Sequence, residues 1–148
     1  MIGNREISEK RRQEYWQLFQ NSKISLPISV SELVEKVDSL NSTIEVGFRR
    51  RNLPALLAKY FIDMRDVFVG INSMLKPGCP AYVVIGSNHT VAGGIHVDID
   101  TASILIDLAE SIGLKFEERI SMEMLVSRDI HKKNACASEE ILCLRKAS

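Results

Sequence analysis

An unbroken apolar stripe runs through the middle of the chain and limits the folds open to it. Leu53, Leu56, Leu57, Tyr60, Phe61, Met64, Val67, Phe68, Ile71, Met74 and Leu75 step by three and four. That period places them on one side of an α-helix. At ~1.5 Å per residue the helix is roughly 33 Å long. Lys76 suits the negative end of the helix dipole, and Pro77-Gly78 stops the helix. Asn52 reads as its N-cap, with Pro54 in the first turn. The run Ala81-Tyr82-Val83-Val84-Ile85-Gly86 follows at once, without alternation. A short, wholly apolar run after a helix predicts a strand buried on both faces, and hence a sheet with helices on each side.

The rest of the chain supplies the flanking elements. Ser8 caps a first helix in which Tyr15, Leu18 and Phe19 share a face, with Trp16 beside them; Lys10-Arg11-Arg12 on the other side reads as a solvated face in preference to a nucleic-acid contact. Pro27 separates this helix from a second short one, with Ser29 and Glu32 as a candidate capping box and Leu33, Val34, Val37 and Leu40 at helical spacing. Asn41-Ser42-Thr43 ends it. After the strand, residues 87–94 read as a loop. Asp100 or Thr101 caps a helix with Leu105, Leu108, Ala109 and Ile112 inside, ended by Gly113. A long alternating strand follows, with Leu114, Phe116, Ile120, Met122, Met124 and Val126 on one parity. Lys115, Glu117, Arg119, Ser121 and Glu123 take the wet parity, which suits a position near a sheet edge. A polar loop then leads to Ile141-Leu142-Cys143-Leu144, an antiparallel neighbour of the long strand.

Composition bounds the function. With 148 residues the chain suits one domain with a core, here divided into an N-terminal helical segment (1–48) and an α/β part (49–148). The formal net charge of zero gives no global attraction to nucleic acid, so only a local basic patch would serve. Cys79, Cys136 and Cys143 form no CxxC pair, and His89 and His96 have no metal-ligand spacing. Dispersed thiols and the lack of a signal-like apolar segment lead us to expect a cytoplasmic protein, away from the membrane.

Several stretches then carry a resemblance. They are Tyr60-Phe61-Ile62-Asp63-Met64, Leu75-Lys76-Pro77-Gly78, Val84-Ile85-Gly86-Ser87-Asn88, Ser127-Arg128-Asp129-Ile130-His131-Lys132-Lys133-Asn134 and Glu139-Glu140-Ile141-Leu142. In this order, over about residues 29 to 146, the chain resembles the DNA methylase family that modifies exocyclic amino groups of adenine or cytosine. The fold implied is the back half of a class I, Rossmann-like methyltransferase sheet: α/β, about three strands ending in an antiparallel hairpin, with flanking helices. The activity implied is methyl transfer from S-adenosylmethionine to an amino nitrogen of a flipped-out base. The family's Asp/Asn/Ser-Pro-Pro-Tyr/Phe motif and its glycine-rich cofactor loop have no counterpart in this sequence, and Gly93-Gly94 lies in the wrong context for the loop. No catalytic residue is therefore assigned, and activity by this chain alone is not expected. S-adenosylmethionine binding would need a complementing N-terminal half, and the unpaired side of the buried strand would take that half or a second copy.

The resemblance also implies peripheral site residues. Gly86, Ser87 and Asn88 end the buried strand beside the target-base pocket, although the same residues also suit a plain turn. The loop carrying Arg128, His131, Lys132, Lys133 and Asn134 would face the nucleic acid, with Arg128, Lys132 and Lys133 on phosphates. As a general base His131 has no chemical partner in view. Arg49, Arg50 and Arg51 are candidates for tracking the phosphate backbone, or equally a solvated lead-in to the long helix. Two further readings stay open: a relative acting on tRNA or other RNA, and a non-catalytic nucleic-acid-binding or interaction module.

Overall fold

The computed structural model describes residues 7–86, 88–123 and 138–148. Ser87, Met124, Val126, Arg128, His131, Lys132, Lys133, Asn134 and Cys136 lie outside the described residues. Three helices come first: α1 (Glu9–Ser22), α2 (Ile28–Ser42) and α3 (Phe48–Met74). Then follow β1 (Pro80–Gly86), β2 (Asn88–Ala92), β3 (Ile95–Ile99), α4 (Thr101–Ser111), β4 (Leu114–Glu123) and β5 (Ser138–Lys146). Strands β1, β5 and β4 form one sheet in that order, with β5 antiparallel to both neighbours. The two outer strands therefore run the same way without touching. Strands β2 and β3 form a separate antiparallel hairpin.

Helix α4 packs on all three strands, and α3 packs on α4 and on the first two helices. One core joins every layer: Phe19 of α1, Val34 and Val37 of α2, Phe61 and Phe68 of α3, Leu105 and Leu108 of α4, and Leu142 and Leu144 of β5. The N-terminal helices thus pack on the same core as the sheet. Two caps form as the sequence suggests. Ser8 Oγ accepts from Arg11 N at 3.3 Å, and Asp100 Oδ1 accepts from Ser103 N at 3.1 Å.

Two helix starts differ from the sequence reading. Pro27 itself precedes α2, and Ser29 lies inside the helix, where its Oγ donates to Asp107 Oδ2 at 2.6 Å. No Ser29–Glu32 capping box forms. Helix α3 begins at Phe48 with Gly47 as cap, so Arg49, Arg50 and Arg51 are its first turn and not a lead-in. Asn52 is buried and donates from Nδ2 to Ile7 O at 3.2 Å. Pro54 therefore sits well inside the helix, where it denies Arg50 O its usual i+4 donor. Asn41 Nδ2 donates to Arg50 O at 2.8 Å instead.

The segment after β1 is a hairpin, not a loop. Gly93 and Gly94 have φ of 55° and 77°, as a two-residue hairpin turn with left-handed central residues requires. Gly93 N donates to Asn41 Oδ1 at 3.0 Å, so the same asparagine ties the turn to the end of α2.

Strand β1 is not buried on both faces. Val83 and Ile85 pack against the core, while Tyr82 and Val84 are 64% and 57% exposed. The physical reason is one-sided cover: the described helices lie on a single face of the sheet.

The alternation of β4 breaks at an irregularity between Phe116 and Glu118. Phe116 pairs with Leu144, and Glu118 already with Cys143, so Glu117 is an extra residue. Such a bulge reverses which parity faces inward. Ile120 and Met122 consequently join Tyr82, Val84 and Ile141 on the outer face, at 39% and 36% exposure. Arg119 turns to the α4 side. Its guanidinium grips Glu140 with two bonds of 2.8 and 2.7 Å and reaches Asp100 Oδ1 at 3.1 Å and Ser103 Oγ at 3.0 Å. One arginine thereby locks the N-cap of α4 to β4 and β5.

This lock has a pH signature. Partial burial pushes the Asp100 carboxyl up, but the bonds from Ser103 and Arg119 outweigh it and hold the pKa below the ordinary 3.8. A depressed carboxylate stabilises the fold above its unfolded pKa and loses that contribution as pH falls through the folded value. The effect is at most about 1 kcal/mol, because Asp100 is 58% exposed and solvent screens the pair. Asp100→Asn should lower the melting temperature near neutral pH. The gap from the parent should close as pH falls below the ordinary carboxylate range, where both carry a neutral group. An unchanged gap would place the stabilisation elsewhere.

Candidate functional site

The carboxyl end of β1 opens into a small pocket. Ile85 and Gly86 bring it to the strand end, Asn88 follows at the start of β2, and Ile99 and Thr101 close it from the β3–α4 junction. Leu57, Tyr60 and Phe61 of α3 form the facing wall. Its volume is about 130 Å³. Ligand pockets commonly enclose roughly 300–1,000 Å³, so this one takes a single ring-sized group and not a whole nucleotide.

The lining is divided almost equally between polar and apolar surface. The ring of Tyr60 meets that of Phe61 edge-on at 5.1 Å, and burial pushes the Tyr60 phenol up. The hydroxyl therefore stays protonated and can donate. Asn88 Oδ1 accepts from His89 N at 2.9 Å, which leaves its amide nitrogen available as a donor. The Thr101 hydroxyl is directed to Ile99 O at 3.5 Å. A flat, partly apolar ring with hydrogen-bonding edges matches this lining.

Of the residues singled out by sequence, Gly86 and Asn88 meet at this pocket. Ser87, Arg128, His131, Lys132, Lys133 and Asn134 lie outside the described residues. Arg49, Arg50 and Arg51 do not line it. Tyr60 is roughly 14 Å along α3 from Arg51 at ~1.5 Å per residue. Arg51 borders a different cleft with Arg12, Asp38 and Glu45, between the starts of α1 and α3 and the end of α2. The α3 side of the strand-end pocket was hidden in the sequence by the uniform stripe. Tyr60 is a core residue by period, and only its phenol hints at a further use.

Other reactive groups are held in structural roles. Cys143 is buried, and burial together with the nearby Glu117 pushes its thiol up, which makes it a poor nucleophile. Glu117 pairs with Arg145, which also donates to Gly78 O and so fastens the α3–β1 turn to β5. His89 and His96 stack across the hairpin with ring centres 5.0 Å apart, and His96 Nε2 lies 2.8 Å from Asp98 Oδ1. Among the described residues no group of three or more His, Cys, Asp or Glu is placed to hold a metal ion. No described helix is long and apolar enough to cross a membrane.

The strand-end pocket is too small for S-adenosylmethionine, and Gly93-Gly94 turns a β-hairpin in place of a strand-to-helix loop.

No family model matches the chain. No curated protein matches it either. Among solved structures it is similar to a protein from Thermus thermophilus described as a DNA modification methylase, in complex with S-adenosyl-L-methionine. The TM-score is 0.53 at 16% identity, over 63% of this chain and 39% of that one. A selenomethionine form of the same protein aligns at 0.47 and 19% identity over 61% and 38%. The chain thus spans about two fifths of the length of the solved protein it matches. At this identity the likeness concerns the fold. The chain has a partial methyltransferase-type α/β fold, with an antiparallel three-stranded sheet centred on β5 and flanked by helices.

Proposed function

We propose that this chain is the C-terminal part of a DNA amino-methyltransferase, inactive until a second polypeptide completes its sheet. In the complete enzyme a methyl group would pass from S-adenosylmethionine to the exocyclic amino nitrogen of adenine or cytosine. This chain would contribute the outer wall of the target-base pocket through Gly86, Asn88 and Tyr60. Ser87, His131 and Asn134 would join that wall, and Arg49, Arg50, Arg51, Arg128, Lys132 and Lys133 would hold phosphates. The complementing half would supply the cofactor site and the Pro-Pro-aromatic motif.

One observation carries this reading: β1 is open on two sides. Its outer edge pairs with no strand among the described residues. Its outer face presents Tyr82 and Val84, which continue across the sheet into Ile141, Ile120 and Met122. From Pro80 to Gly86 the strand carries no charge. Edges that stay single are usually guarded by charges, bulges or short length, and this one has only Pro80 at its start. The apolar face and the free edge together suit a partner that adds a strand and covers the sheet.

Reconstitution tests the reading. The chain is mixed with a separately produced polypeptide bearing a glycine-rich loop and an Asp/Asn/Ser-Pro-Pro-Tyr/Phe motif. Labelled S-adenosylmethionine and DNA are added, and methylated nucleosides are identified by mass spectrometry. Transfer to an amino nitrogen is expected only in the mixture. Transfer by this chain alone contradicts the reading, and transfer to RNA alone replaces DNA with RNA as substrate. Val84→Lys places a charge beside the free edge and should abolish reconstitution. Its cost to the monomeric fold should stay within about 0.5 kcal/mol, since the side chain is exposed in the single chain.

A further inference from the structure

The chain brings together two basic runs that are far apart in sequence. Lys10-Arg11-Arg12 occupies the first turn of α1, and Arg49-Arg50-Arg51 the first turn of α3. The two helices run side by side in the same direction. Asn52 Nδ2 donates to Ile7 O at 3.2 Å near their starts, and further along Lys59 Nζ lies 5.7 Å from the centre of the Tyr15 ring. Glu9 senses the charges of both Arg12 and Arg51. Both triplets therefore emerge at one end of the molecule, although the chain as a whole is neutral.

The carboxylates at this end do not cancel the charge. Glu9 is taken by Arg12 through its side chain, and Arg12 also senses Asp38. Glu45 borders the same cleft. Lys10, Arg11 and Arg50 are exposed and enter no ion pair among the described residues. Clustering cations at the positive ends of two helices opposes folding. A fold does not need that arrangement. An anionic partner with regularly spaced charges offsets it.

We propose that Lys10, Arg11, Arg50 and Arg51 form one continuous surface for the phosphodiester backbone of nucleic acid, with Arg12 held by Glu9 as its scaffold. This extends the proposed role of Arg49, Arg50 and Arg51 to α1, and the nature of the substrate rests on the methyltransferase reading. The backbone contact itself does not, because it needs neither cofactor nor second polypeptide.

The test is fluorescence anisotropy with a labelled DNA duplex of about 20 base pairs, across salt concentrations, using the full chain. The parent should bind with a dissociation constant of roughly 1–100 µM near physiological salt, and the affinity should fall steeply with salt. Lys10→Gln with Arg11→Gln should cut affinity on the order of tenfold and reduce the log–log salt slope by about 2. Arg50→Gln with Arg51→Gln should do the same. Glutamine keeps helix propensity and removes charges that oppose folding, so melting temperatures should equal or exceed the parent's. Arg50→Lys with Arg51→Lys should retain the slope, since the contact reads charge. An unchanged slope in the Lys10/Arg11 variant overturns the proposal, as does equal binding of the duplex by all variants. Loss of reconstituted methyl transfer with DNA binding intact would instead count against the methyltransferase reading alone.

Discussion

Asn41→Leu should destabilise the fold by roughly 2–5 kcal/mol, because it orphans two backbone groups at once. Asn41 is buried and stands between two irregular places in the chain. Its amide nitrogen serves Arg50 O, which Pro54 deprives of a helical donor, and its amide oxygen serves Gly93 N in the hairpin turn. Only one orientation of the amide satisfies both. Leucine fills the space but offers neither group, and each unmet backbone polar atom costs about 1–3 kcal/mol. The melting temperature should drop by roughly 5–15 °C for a chain of this size. The mechanism has an internal control. Pro54→Ala restores an N–H four residues after Arg50, so Asn41→Leu should cost about 1–2 kcal/mol less in that background. Additive losses would show that Asn41 does not replace the missing donor.

Gly93→Ala should cost about 3 kcal/mol or more, well above the effect of the same change at its neighbour. A Cβ on Gly93 would lie 2.3 Å from Leu40 O and 2.9 Å from Leu40 C, which are backbone atoms of α2. The turn must then move away from α2, and the Gly93–Asn41 bond goes with it. Gly94 also has a positive φ, but nothing lies within 4 Å of its Cβ position. Gly94→Ala should therefore cost only about 1 kcal/mol, from conformation alone. Denaturant unfolding of the two variants separates overlap from strain. Equal losses would mean that the approach to Leu40 is not a constraint. The hairpin also carries Asn88, so Gly93→Ala should loosen the strand-end pocket, while Gly94→Ala should leave it intact.

Much of the fold is legible in the sequence where period and punctuation agree. Helix α4 has its Asp100 cap, its inner leucines and Gly113 at φ 92°. The α3 stripe predicts the long helix, and Pro77-Gly78 its end. The pairing of β4 with β5 follows from their order. The misses have particular causes. A period of two carries no mark for an extra residue, so the bulge at Glu117 is invisible and Ile120, Met122 and Arg119 are assigned to the wrong faces. A wholly apolar run such as Ala81–Ile85 does not say how many of its faces are covered. Gly93-Gly94 between alternating residues is a strong hairpin signal, but its weight depends on reading it as a turn and not as a ligand loop. Asn52 and Pro54 mimic a helix start because the compensation for Pro54 comes from Asn41, on another helix.

The candidate site was legible only in part. Gly86 and Asn88 are marked by their place at the end of an apolar strand, where open α/β sheets bind ligands. Tyr60 is masked by the stripe it belongs to. The meeting of Lys10-Arg11-Arg12 with Arg49-Arg50-Arg51 depends on the parallel packing of α1 and α3, which no local pattern encodes.

Calorimetry of the purified chain with S-adenosylmethionine, with molecular mass measured on the same sample, tests the account most directly. The expected result is no binding, together with a dimer or larger species formed through the uncharged edge of β1. Tight binding by a monomer would contradict it, since the cofactor site would then lie within this chain and the sheet would need no partner.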